Sequence, residues 1–131
     1  MNDSEIENEI KAKGLTAPRV TLAHIEGCVA YEYYITGDQL PQMTTATLGA
    51  AHPQVPTDID ISPLIRLTLC VLVLRNGFKV TGESSCVDAQ NFDVALGRKI
   101  ARQNALDKVW MLEGYLLKER LWHEWHALGR S

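Results

Sequence analysis

Residues 67–92 read LTLCVLVLRNGFKVTGESSCVDAQNF, and this stretch decides the fold. An apolar, β-branched run meets Asn76-Gly77, and a second strand-like run leaves it. Asn-Gly between two apolar runs signals a hairpin, because both central residues of a type I′ turn need positive φ. With a two-residue loop, Arg75 faces Phe78, Val73 faces Val80, Val71 faces Gly82 and Leu74 faces Lys79. The turn thereby sets a register that the fold must respect. The chain then passes through Gly82-Glu83-Ser84-Ser85, a strand-to-helix turn, to Asp88, which offers an N-cap for a helix.

Before the hairpin, Cys28–Thr36 is rich in aromatic and β-branched residues and predicts a strand. It can complete an antiparallel sheet of about three strands. Two short helices precede it. The first spans Ser4 to Lys13, within residues 1–17, with Ser4 as cap and Glu7 closing a capping box. The second spans Thr21 to Gly27, capped by Thr21. Pro41, Pro53, Pro56 and Pro63 mark residues 38–63 as a long loop. Asp88 starts a helical region reaching residue 126. Phe92, Leu96 and Ile100 recur at spacing four, an apolar stripe. Beyond Asn104 the apolar residues spread around the helix, and a break near Trp110-Met111 or a close contact at Gly114 fits that pattern. Strands followed by helices predict a single α+β domain over residues 1–131: a small antiparallel sheet packed with C-terminal helices. The sheet's edges and second face need cover, which an oligomer supplies.

The chain has 131 residues, enough for one core without staples, and a net charge of −3, which disfavours an extended nucleic-acid surface. No apolar run approaches the roughly 18 residues that span a bilayer. The N-terminus is acidic and unlike a signal peptide. Three cysteines without C-x-x-C spacing fit a cytosolic protein. Cys28 and Cys70 read as small buried hydrophobes, and Cys86 as structural, although a helix start can activate a thiol.

Chemistry-bearing patterns are few. His123-x-x-His126 could share a helix face, but it lacks a third ligand by sequence and reads as an exposed tail. His24 and His52 have no partner by spacing. No P-loop, carboxylate pair or nucleophile–base set stands out. The most informative pattern is a polar, cationic helix face, Asn91, Arg98 and Arg102, since arginines hold phosphates bidentately. A plain solvated face is its ordinary meaning. Arg66 and Arg120 flank the core segments and could complete a cationic pocket between subunits. On these grounds a binding protein is favoured over an enzyme, with no cofactor or metal.

A resemblance adds to this reading. Pro18–Thr21, Thr68–Leu72, Asn76–Asp88, Asn91–Asp93, Gly97–Ala101, Asn104-Ala105 and Leu112–Leu117 together resemble one family of small proteins of tailed phages and prophages. That family includes the first-described anti-Thoeris proteins. The resemblance implies a homo-oligomer, dimer or hexamer, acting in the cytoplasm of the infected bacterial host. It implies sequestration, without degradation, of the cyclic ADP-ribose isomer made by Thoeris TIR enzymes, and of cyclic oligonucleotides in some members. It implies an aromatic, an amide and arginines as contacts: Phe92, Asn91 or Asn104, and Arg66, Arg98, Arg102 or Arg120. Met111 stands where the family's pattern has proline. Two other readings stay open, a structural oligomeric phage protein without a small ligand and a small nucleotide-processing enzyme.

Overall fold

A computed structural model describes residues 2–129 of the chain. Helix α1 is Asp3–Ala12 and helix α2 is Leu22–Cys28. Strand β1, Val29–Thr36, leads through a 3-10 turn into helix α3, Leu40–Leu48. Strands β2, Leu67–Leu74, and β3, Lys79–Ser85, complete the sheet, and helix α4, Val94–Ala127, ends the fold. The sheet is antiparallel throughout, in the order β1-β2-β3. The expected α+β arrangement of three strands and a C-terminal helix is the one observed.

The register differs from the expected one by a single residue. Leu72 faces Val80, Cys70 faces Gly82 and Val73 faces Lys79. Leu74 N–H donates to Phe78 O (2.8 Å) and Gly77 N–H to Leu74 O (2.9 Å), so the loop has three residues, 75–77. Gly77 has φ +87° and no non-glycine residue among those described has positive φ, so Asn76 cannot supply the second positive φ of a type I′ turn. Asn76 instead accepts the Phe78 N–H through Oδ1 (2.9 Å). A three-residue loop ending in a left-handed glycine is the alternative hairpin closure. Because side chains alternate along a strand, the one-residue slip swaps the faces. Thr68, Cys70 and Leu72 are buried, while Leu69, Val71 and Val73 lie on the outer face.

What selects this face is the helix. Gly82 sits so close to α4 that a Cβ there would lie 2.1 Å from Ala101 O and 2.3 Å from Ala105 N. The buried stripe of α4 is therefore small: Gly97, Ala101, Ala105 and then Val109. The expected stripe is not the buried one. Leu96 and Ile100 are exposed, and Phe92 precedes the helix. Spacing four is satisfied by both sets, and only the smaller side chains let the helix backbone reach the sheet. The core joins these residues to Ile25, Cys28, Cys70, Leu72, Val80 and Leu106.

The local signals fared unevenly. Thr21 caps α2, accepting the His24 N–H (3.1 Å). Asn2 caps α1 in a capping box with Glu5, in place of Ser4 and Glu7. Glu7 is buried and pairs through both oxygens with Arg19, at 2.9 Å each. Asp93 caps α4, accepting the Leu96 N–H (2.9 Å). Asp88 only opens a 3-10 turn, Ala89–Asn91. The Gly82–Ser85 segment is strand and not a strand-to-helix turn. Part of the expected long loop is α3, which carries Pro41 in its first turn, where a missing N–H costs nothing. Helix α4 runs unbroken past Trp110-Met111, tied to α1 by Trp110 Nε1–H and Gln103 Nε2–H, both donating to Asp3 (3.1 Å).

Candidate functional site

Two regions gather polar and titratable side chains. The first is the junction between β3 and α4. Arg66 ends the 3-10 turn before β2, and its Nη1–H donates to Val87 O (2.7 Å). Its own carbonyl accepts the Cys86 N–H (3.2 Å). The Cys86 thiol donates to Asp88 O (3.0 Å), and Asn91 N–H donates to Asp88 O (3.1 Å). These bonds fold residues 86–91 against Arg66 and bring Asn91 and Phe92 to the same end of the molecule. Cys86 is thus not at the start of α4, which lies beyond Asp93. Arg98 is exposed on α4 and has no partner among the described residues. It lies five residues past the cap, about 7–8 Å along the axis.

The other cationic and amide residues lie elsewhere. Arg102 donates to Glu26 (2.8 Å) and to Glu32 (3.1 Å), on the β1 side of the sheet. Those two carboxylates hold its guanidinium firmly charged. Asn104 Nδ2–H donates to Glu83 O of β3 (2.7 Å), at the opposite sheet edge. The expected helix face of Asn91, Arg98 and Arg102 does not form as such, because Asn91 lies in the 3-10 turn before α4 and Arg102 is held by Glu26 and Glu32. Arg120 pairs loosely with Glu124 (3.5 Å) and lies eighteen residues beyond Arg102, about 27 Å along the axis. Within one chain, Arg66 is tied to the segment that leads into Asn91 and Phe92, while Arg102, Asn104 and Arg120 are bonded elsewhere.

The second region was not legible from spacing. A cleft of about 690 Å³ opens between the hairpin end and α4, walled by Leu74, Phe78, Met111, Tyr115 and Leu116. Cys28, Glu113 and Arg75 lie at its base. The Cys28 thiol donates to Glu113 Oε1 (2.8 Å), and His24 Nε2 lies 3.1 Å from the same oxygen and 3.6 Å from the sulfur. Arg75 Nη2–H points at the sulfur from 3.8 Å. Burial, with Glu113 next, pushes the Cys28 thiol up, so it stays protonated at neutral pH. The Cys28 hydrogen bond, with help from His24, holds the Glu113 carboxyl below its usual range. His24 therefore has partners after all, through α4. The available signal was its i, i+4 spacing to Cys28, which shares one face of α2. Glu113 comes from 85 residues further on, beyond the reach of any local pattern. At the tail, His123 pairs with Glu119 (3.0 Å), and His126 Nδ1 meets Trp122 O (2.8 Å).

No helix among the described residues is long and apolar enough to cross a membrane. An open three-stranded antiparallel sheet backed by one long helix defines a small α+β protein. The chain belongs to the phage protein (N4 Gp49/phage Sf6 gene 66) family, whose model matches residues 20–121. That span takes in the sheet and most of α4 and leaves out α1. None of the curated proteins and none of the solved structures compared matches the chain.

Proposed function

We propose that this phage-family chain is an anti-defence sponge in the cytoplasm of the infected host. It binds a cyclic nucleotide immune signal, a cyclic ADP-ribose isomer of the Thoeris type, and holds it without degrading it. The observation that carries this reading is that Arg66 is bonded to the segment leading into Asn91 and Phe92, with an exposed, unpartnered Arg98 on the first turns of the helix that follows. A cyclic ADP-ribose ligand asks for cations on its pyrophosphate, a ring against its adenine and an amide for a polar edge. Sequestration needs enclosure, and one chain leaves this group open. A second copy supplies the enclosure. Tyr31 (63% exposed) and Tyr33 (59%) lie uncovered on the outer sheet face, and Met111, Tyr115 and Leu116 on α4. Apolar exposure on that scale favours a homo-oligomer. Arg102, Asn104 and Arg120 belong to the ligand set through such an assembly.

Isothermal titration with the cyclic ADP-ribose isomer, paired with light scattering for subunit number, tests the reading. We expect saturable micromolar or tighter binding to an oligomer, with the ligand recovered chemically intact after heat release. Arg98→Ala is expected to weaken binding without altering the fold. A converted product would mark an enzyme. Absence of binding to a well-folded oligomer would leave a structural phage protein.

A further inference from the structure

The His24–Cys28–Glu113 group carries an inference independent of the sequestering reading. We propose that it is a binding site for one divalent transition ion, zinc by ligand type, with an open coordination position facing the apolar cleft. The three donor atoms all lie within 4.8 Å of one another. Zinc takes sulfur at about 2.3 Å and nitrogen or oxygen at about 2.0–2.2 Å, so tetrahedral donors stand about 3.4–3.6 Å apart. The Sγ–Nε2 distance is 3.6 Å and the Nε2–Oε1 distance 3.1 Å. The third, Sγ–Oε1, is 2.8 Å, a close contact bridged by the thiol proton. An ion replaces that proton and parts the two atoms by somewhat under 1 Å. Glu113 has a long, partly exposed side chain able to make this movement.

The surroundings suit such an ion. Two ligands come from one turn of α2, whose Thr21 cap fixes its start, and the third comes from α4. One thiolate and one carboxylate balance the double charge. Arg75 Nη2–H, 3.8 Å from the sulfur, becomes a donor to the bound thiolate, and the Arg75 N–H already holds Cys28 O (2.9 Å). Such outer partners orient metal ligands. Cys28 and Glu113 line the 690 Å³ cleft, while His24 and Glu113 border a second cleft with Arg19 and Arg120. Three protein ligands beside open space is the arrangement that leaves a position for water or an anionic ligand group. On binding, the Cys28 proton passes to solvent and no electrons move.

The test uses the full chain stripped with chelator and titrated with zinc against a competing indicator, then with cobalt(II) as an optical probe. We expect one ion per chain, proton release on binding, and a thiolate-to-cobalt charge-transfer band. His24→Ala, at an exposed ring, should weaken uptake about tenfold or more. Cys28→Ser should abolish the band, and Cys86→Ala should leave it intact. Should Cys28→Ser fail to fold, the His24→Ala and Cys86→Ala pair still decides. No stoichiometric uptake, uptake indifferent to His24→Ala, or a band lost with Cys86→Ala would each overturn the site.

Discussion

Replacing Gly82 with alanine drives a methyl group into the backbone of α4. Its Cβ would stand 2.1 Å from Ala101 O, 2.3 Å from Ala105 N and 3.0 Å from Ala105 Cα. These are main-chain atoms and cannot rotate away. Ordinary contact distances require the helix to retreat by about 1 Å. A gap of that size forfeits a quarter to a half of each dispersion contact along the seam. The seam holds Ala101, Ala105, Leu106 and Val109, all buried. Overpacking of this kind costs about 1–3 kcal/mol, and with no side chain to yield we expect the upper end, about 3 kcal/mol. The assay is urea unfolding followed by circular dichroism at one fixed protein concentration, since an oligomer's stability depends on concentration. The midpoint should fall while the slope stays constant. Gly114→Ala is the matched control, because nothing lies within 4 Å of a Cβ there. It lies inside α4, so it should gain about 0.5–1 kcal/mol. A Gly82→Ala protein within about 0.5 kcal/mol of wild type would refute the close approach of β3 and α4.

Two further predictions concern the helix start and the ionic group on the β1 side. Asp93→Ala should cost about 1 kcal/mol in urea unfolding, and Asp88→Ala clearly less, since only Asp93 caps α4; equal losses would contradict this cap assignment. Arg102→Gln should cost up to about 1 kcal/mol at pH 7, the scale of partly exposed pairs. The Tyr34 and Arg102 hydrogen bonds hold the Glu32 carboxyl below its usual range. Its stabilisation is therefore present above the unfolded value of about 4.3 and is lost as pH falls through the lower folded value. The gap between wild type and Arg102→Gln should close over that acid window, as read by thermal melts at stepped pH. A gap independent of pH would locate the effect of Arg102 outside this pair.

Much of the candidate site could be read in part. Arg66, Asn91 and Phe92 are polar or aromatic residues beside element ends, and the structure gathers them through short-range bonds of residues 86–91. Arg102 and Asn104 stand two residues apart, about 200° around the helix, so they point to opposite flanks of α4. What the tertiary structure decides is the partner on each flank: Glu26 and Glu32 for Arg102, and the Glu83 carbonyl for Asn104. The missed cluster at His24 and Cys28 needed Glu113, and no spacing rule connects residues so far apart.

Local chemistry by itself determined the strands, their antiparallel pairing, the Thr21 cap and the helical C-terminal third, because each rests on propensity and hydrogen bonds between near neighbours. Tertiary contact alone decided the register of residues 67–85. The Asn76-Gly77 pair is compatible with two loop lengths that differ by one residue, and each buries the opposite face of β2. The choice falls to the face that lets Gly82 meet Ala101 and Ala105, since the α4 backbone can lie against the sheet only where neither side carries bulk. The same packing sets Cys28 beside Glu113 at the cleft between the hairpin end and α4.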